Sequence, residues 1–142
     1  MWAFASQSPV PQRTAIVPPV DPQVDYSQNA PVNALATFEM YLRDALDFYI
    51  DMTAWLASNG PATLATATWA SVGAKTPTLT GATFLATGLA GVTITPAVGA
   101  LPGDAYLLEV TFTIAAIVSA GTTLSIPVRK ITRRINVILV NG

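Results

Sequence analysis

The chain contains neither cysteine nor histidine. That excludes disulfide staples, thiolate zinc sites, imidazole metal ligands and every nucleophilic mechanism built on Cys or His. Charge is almost as scarce: Asp, Glu, Lys and Arg make up 11% of the 142 residues, less than half the share of an ordinary soluble domain. Mean hydropathy is +0.48. A surface so poor in charge is expected to be buried in an assembly; the alternative is solubility carried by Thr, Ser, Asn and Gln. Net charge is −1, so no global field steers the chain to nucleic acid or to an anionic membrane, and neither is expected as a partner.

Unbroken apolar runs are missing too. The uncharged stretches Thr76 to Gly103 and Val110 to Val128 are interrupted, the first by Pro77, Gly81, Gly88, Gly91, Pro96 and Gly99, the second by Thr111, Thr113, Ser119, Gly121, Thr122, Thr123, Ser125 and Pro127. They read as strands and turns rather than membrane helices. The opening MWAFASQSPVPQ has no basic n-region and no adequate apolar h-region, so no secretion signal is expected.

Motifs of chemistry are equally thin. Asp47 and Asp51, with Asp44 nearby, form the only carboxylate cluster. A strand would place Asp47 and Asp51 on one face with Cα atoms roughly 13 Å apart, too far to cooperate as a pair. They lack the D-x-D-x-D-G spacing of a calcium loop, and no glycine loop for phosphate is present. Without histidine, a Ser-Lys pair is the remaining nucleophile, and neither Lys75 nor Lys130 sits in such a motif. The expectation is a protein that is not an enzyme, with no cofactor and no metal.

Of what is present, proline comes first. Six of eleven prolines lie at Pro9, Pro11, Pro18, Pro19, Pro22 and Pro31. Proline fixes φ and lacks an N–H, so the run around Pro18-Pro19 can neither continue a helix nor sit in a central strand. Residues 1–33 are therefore expected to be an extended arm, and 34–142 a single body. The arm carries Trp2, Phe4, Ile16 and Val17, apolar side chains that need a surface to land on, and these are its expected partner anchors.

The body has a β pattern. Tyr106 to Ile114 alternates, with Tyr106, Leu108, Val110, Phe112 and Ile114 on one face. Leu101-Pro102-Gly103-Asp104 before it has the Pro and Gly of a type II turn. Ser119-Ala120-Gly121 is expected to reverse the chain into a strand over Thr122 to Val128, forming a hairpin. Ala45 to Trp55 also has period two. The segment before it fits either a helix from Asn33 or a strand with a turn at Arg43-Asp44, and the strand is favoured. Ala62 to Ala70, Thr76 to Thr80, Thr83 to Thr87 and Val92 to Thr95 are further short strands between Gly and Pro turns. Many short strands with turn signals predict an all-β sandwich.

Charge is unevenly placed. Six of eight acids (Asp21, Asp25, Glu39, Asp44, Asp47, Asp51) precede residue 52, while Arg129, Lys130, Arg133 and Arg134 cluster late, which suits head-to-tail contact between subunits. The final strand, Arg133 to Val140, has Ile135, Val137 and Leu139 on one face and Ile138 and Val140 on the other. A strand apolar on both sides is buried twice or covered by a neighbour. The four basic residues, Ile138 and Val140 thus join the expected partner-binding set.

Ala45-Leu46-Asp47-Phe48-Tyr49-Ile50-Asp51-Met52-Thr53-Ala54-Trp55-Leu56-Ala57 resembles the L-D-Y-x-I-D-W-x-x-W-L opening of small immunoglobulin-like structural proteins of tailed bacteriophages. Thr63 to Trp69 resembles their T-I-A-S-x-T-W strand, and Gly103 to Ile114 their G-x-x-Y-x-V-x-x-x-I strand. The likeness covers roughly residues 38–115 of the chain. Met52 replaces the usual Trp, and the terminal G-R-T-x-x-R hairpin is stretched into Ser119 to Val140. The resemblance implies an immunoglobulin-like β-sandwich in the virion, assembled in the host cytoplasm. It implies a head decoration or a neck or tail adaptor that binds other virion proteins and oligomerises in the assembly. A surface receptor- or carbohydrate-binding module is the alternative.

Overall fold

In the computed structural model, which describes residues 13–19, 34–118 and 125–141, the chain is all-β with one short helix. Ten strands and one helix follow in order: β1 (Thr14–Ile16), β2 (Thr37–Tyr41), β3 (Leu46–Asp51), α1 (Thr53–Ser58), β4 (Leu64–Ser71), β5 (Thr78–Phe84), β6 (Leu89–Thr95), β7 (Ala105–Ile114), β8 (Ile117–Val118), β9 (Ser125–Ile126) and β10 (Arg129–Val140). One sheet has the order β1-β3-β6-β5, a second β2-β10-β7-β4, and β8 pairs only with β9. Neighbours are antiparallel except β1 with β3 and β2 with β10, which run parallel.

Strict alternation makes β7 the spine. Tyr106, Leu108, Val110, Phe112 and Ile114 are all buried, and they meet Phe48, Ile50, Val92 and Ile94 of the first sheet and Ile135, Val137 and Leu139 of β10 in one continuous core. Each such side chain contributes on the order of 1.5–3 kcal/mol of transfer free energy. Among the described residues no polar or charged side chain is buried. Gly103, at φ +91°, takes the left-handed position of the Pro102-Gly103 turn, closed by Asp104 N–H on Leu101 C=O at 3.1 Å.

The favoured strand before Ala45 is present as residues 37–41, and the turn into β3 falls at Leu42-Arg43, one residue earlier than expected. Other local expectations change. The strand expected to reach Trp55 stops at Asp51, whose carboxylate accepts the Thr53 N–H at 2.8 Å and opens α1. Met52, Trp55 and Leu56 then face the core at helical spacing, and the Asn59 side chain closes the helix on Trp55 C=O at 2.8 Å. In β4 a bulge between Leu64 and Thr66 shifts the phase, so that Ala67 and Trp69 turn toward the core. The two segments expected over 76–87 are one strand, β5, bulged at Gly81, whose φ is +62°.

The reversal expected at Ser119 to Gly121 lies outside the described residues. The strand expected over Thr122 to Val128 is reduced to Ser125–Ile126 on Ile117–Val118, and pairing resumes when Arg129 meets Ile114. The last strand therefore begins at Arg129 rather than Arg133. Of the expected arm, Arg13 to Pro19 is described. Its central part is β1, laid along β3 rather than standing off the body.

Candidate partner-binding surface

Because Val137 and Leu139 point into the core, Ile138 and Val140 must lie on the outer face of the β2-β10-β7-β4 sheet. Pairing brings three further apolar side chains beside them. Tyr41, 55% exposed, sits opposite Val140; Ala105 sits opposite Ile138; Leu107, opposite Asn136, is diagonal to Ile138. Val72, 40% exposed, donates its N–H to Leu107 C=O at 2.9 Å and extends the patch past the end of β4. Tyr41, Val72, Leu107, Ile138 and Val140 thus form the apolar end of this face.

The face changes character along the strands. At its waist Arg134 Nη2 meets Glu109 Oε2 at 2.8 Å, with Nε donating to the same oxygen at 2.9 Å, across the register pair Arg134 and Glu109. Beyond it stand Thr66, Thr68, Thr111, Thr113 and Thr132 on three neighbouring strands. The apolar end is not wholly dry: Glu39, exposed, is the register partner of Ile138, and Asn136 stands between Ile138 and Arg134 on the same face.

The other expected anchors are placed differently. Trp2 and Phe4 lie outside the described residues. Ile16 is 65% exposed on the opposite sheet, far in topology from Ile138, while Val17 is wholly buried in this chain's own core and presents nothing to a partner. The reason is alternation: Ala15 and Val17 point inward from the edge of the sheet and Ile16 outward.

The basic residues do not act as a cluster. Arg129 lies 5.5 Å over the Trp55 ring and donates to Asn59 C=O at 2.8 Å, so it braces α1. Arg133 donates to Thr132 C=O at 2.8 Å, and Arg134 is held by Glu109. Lys130 is exposed. No common basic surface results.

On the outer face of the first sheet the polar groups close on one another. Arg13 Nη2 meets Asp47 Oδ1 at 2.8 Å and Arg13 Nε donates to Asp47 C=O at 2.7 Å, while the Tyr49 hydroxyl donates to Asp47 Oδ2. Burial pushes the Asp47 carboxyl up, but hydrogen bonds from Tyr49, its own backbone and Arg13, with the Arg13 charge, outweigh it and hold the group below the usual carboxylate range. Burial, then the hydrogen bond and charge of Asp47, push Tyr49 up to about 12. The Tyr49 ring lies flat on Gly91, where an added Cβ would come within 2.7 Å of its Cε1. Asp51, the other acid once considered for chemistry, caps α1.

A cleft of about 230 Å³ runs between residues 74–76 and 97–100 above Asp104 and Tyr106. Two of its polar groups are engaged: the Tyr106 hydroxyl accepts the Ala97 N–H at 3.0 Å and the Asp104 carboxylate accepts the Leu101 N–H at 3.0 Å. Among the described residues no group of His, Cys, Asp and Glu is arranged to hold a metal ion, and no helix is long and apolar enough to cross a membrane. Comparison with protein-family models, curated proteins and solved structures finds no match for the chain in any of the three.

Tyr41, Leu107 and Val72 escaped the sequence reading. Leu107 did leave a signal, as the only apolar residue on the polar side of an otherwise alternating strand. Tyr41 and Val72 join it solely through strand pairing.

Proposed function

We propose that this chain is a non-enzymatic virion structural protein of a tailed bacteriophage, an immunoglobulin-like β-sandwich acting as a head decoration or as a neck or tail adaptor. It docks on other virion subunits through the apolar end of the outer β2-β10-β7-β4 face. The observation that carries this reading is the contiguity of Tyr41, Val72, Leu107, Ile138 and Val140 beside a charge-poor surface. Apolar residues gathered on one face of a sheet, here Tyr41 and Val72 exposed and Leu107, Ile138 and Val140 half-buried, mark an interaction site, whereas scattered ones need no explanation.

Two features support the immunoglobulin-like part. With β2 to β7 and β10 taken in order as strands A to G, the sheets read B-E-D and A-G-F-C. Immunoglobulin constant domains pair A-B-E-D and C-F-G; here the first strand has moved onto the last. Near the start of the sixth of these strands, Tyr106 reaches back to the backbone of Ala97, as the tyrosine corner of such domains does. The phage assignment itself rests on the sequence resemblance. The carbohydrate-binding alternative would need an aromatic platform, yet Trp55 is buried and Trp69 is packed partly into the core.

The test is incorporation into virions. Ile138→Asp, outward-facing and away from the core, is expected to leave the thermal melt within a few degrees and to lower incorporation well below that of the wild type. Wild-type occupancy by that variant overturns the docking surface.

A further inference from the structure

We propose that β1 is exchanged between copies of this chain, so that the slot beside β3 holds Thr14–Val17 of a neighbour. The inference rests on the reading of the chain as an assembly subunit and names a second contact of that assembly. β1 is supernumerary: the strands β2 to β7 and β10 complete both sheets without it, and it joins β3 in parallel where every other pair of its sheet is antiparallel. An edge strand added to an existing edge is the geometry of β-augmentation.

The segment also has the form of a plug. Ala15 and Val17 fill the core from the rim, the Val17 N–H donates to Asp51 C=O at 2.9 Å, and Arg13 grips Asp47. The ladder, the closing hydrogen bond and the ion pair are all made to β3. A second copy's segment can therefore make the same contacts with nothing lost, which is the condition for exchanging an identical element.

The reach is sufficient. Pro18 and Pro19 follow Val17 immediately, so the ladder cannot continue and the residue before them is held extended. Residues 18–34 separate Val17 from Leu35, where the chain is tied to β10 by Leu35 N–H on Arg134 C=O at 2.7 Å. Fully extended, that length spans up to roughly 60 Å, whereas a body of about 110 residues is on the order of 35 Å across. A neighbouring slot is within range, and a slot filled from the next copy makes a head-to-tail contact that repeats around a ring or along a lattice.

The absence of cysteine makes the test clean. Ile16 and Asp51 are register partners, one exposed and one half-buried. The Ile16→Cys and Asp51→Cys variants, differently tagged, are refolded together at rising concentration and mildly oxidised, alongside the double variant. Expected are a disulfide joining the two tags, whose share rises roughly in proportion to concentration, and covalent dimers and higher ladders from the double variant. A double variant that yields only bridged monomers at every concentration, or no bridge, overturns exchange. Because Ile138 is untouched, that failure leaves the outer-face docking standing. Conversely, wild-type incorporation of Ile138→Asp would overturn the docking without altering the disulfide pattern.

Discussion

The outer faces of the two sheets solve the same problem in opposite ways. On the β1-β3-β6-β5 sheet, Arg13, Asp47 and Tyr49 satisfy one another, and the Tyr49 ring covers the bare backbone of Gly91. On the β2-β10-β7-β4 sheet, the middle is tied by Arg134 and Glu109 while one end leaves Tyr41, Leu107 and Ile138 without a covering element among the described residues. The contrast shows how a charge-poor chain uses its few ion pairs, closing one surface and tying only part of the other.

The comparison breaks first at Ile138. Ile138→Asp is expected to weaken docking by tenfold to a hundredfold, from about 1.5–3 kcal/mol of lost burial, with an unchanged melting temperature. Co-sedimentation with assembled particles measures it, and an equal loss of stability would mean that Ile138 belongs to the core instead.

On the opposite face the balance reverses. Gly91→Ala drives a methyl group into the Tyr49 ring and is expected to cost about 1–3 kcal/mol by overpacking. Calorimetry should show a melting point lower by several degrees while particle binding per folded molecule stays the same. Gly103→Ala, in the turn that hydrogen-bonds to Leu139, is expected to cost about 1 kcal/mol through its left-handed backbone, and a urea titration would register it as a shift in midpoint without a change of slope.

The smallest effects are those of pH. Asp47 is held below its ordinary value of 3.8, so its contribution is present above that pH and fades as pH falls through the folded value. Tyr49 is raised from 10.0 to about 12, so its contribution is present below pH 10 and is lost as pH climbs toward about 12. Asp47→Asn should flatten the acid limb of the stability curve and Tyr49→Phe the alkaline limb. The Asp47 carboxylate is about a third exposed, and its change should stay below about 1 kcal/mol. Thermal melts across pH decide the sign.

Legibility followed the range of the physics. Tyr106 to Ile114 could be read because alternation over ten residues is a local pattern with one explanation, and the Pro102-Gly103 turn because φ demands are local too. α1 was hidden because six residues give less than two turns, and the alternation ahead of it runs without a break into Met52. Bulges at Leu64 to Thr66 and at Gly81 reverse the parity on which any period-two reading depends. Ile138 and Val140 stood out by being apolar on the wrong face. Val17 was read as a partner anchor because proline next to it suggested a free arm, yet a three-residue strand fits between prolines and the slot beside β3 accepts it.

The parallel pairing of β2 with β10 has a mechanical consequence. Five register pairs, Thr37 with Asn136 through Tyr41 with Val140, join the first and last strands of the body. A pull applied through the residues before β2 and after β10 acts on opposite ends of that pair, so its hydrogen bonds are sheared together rather than unzipped one after another.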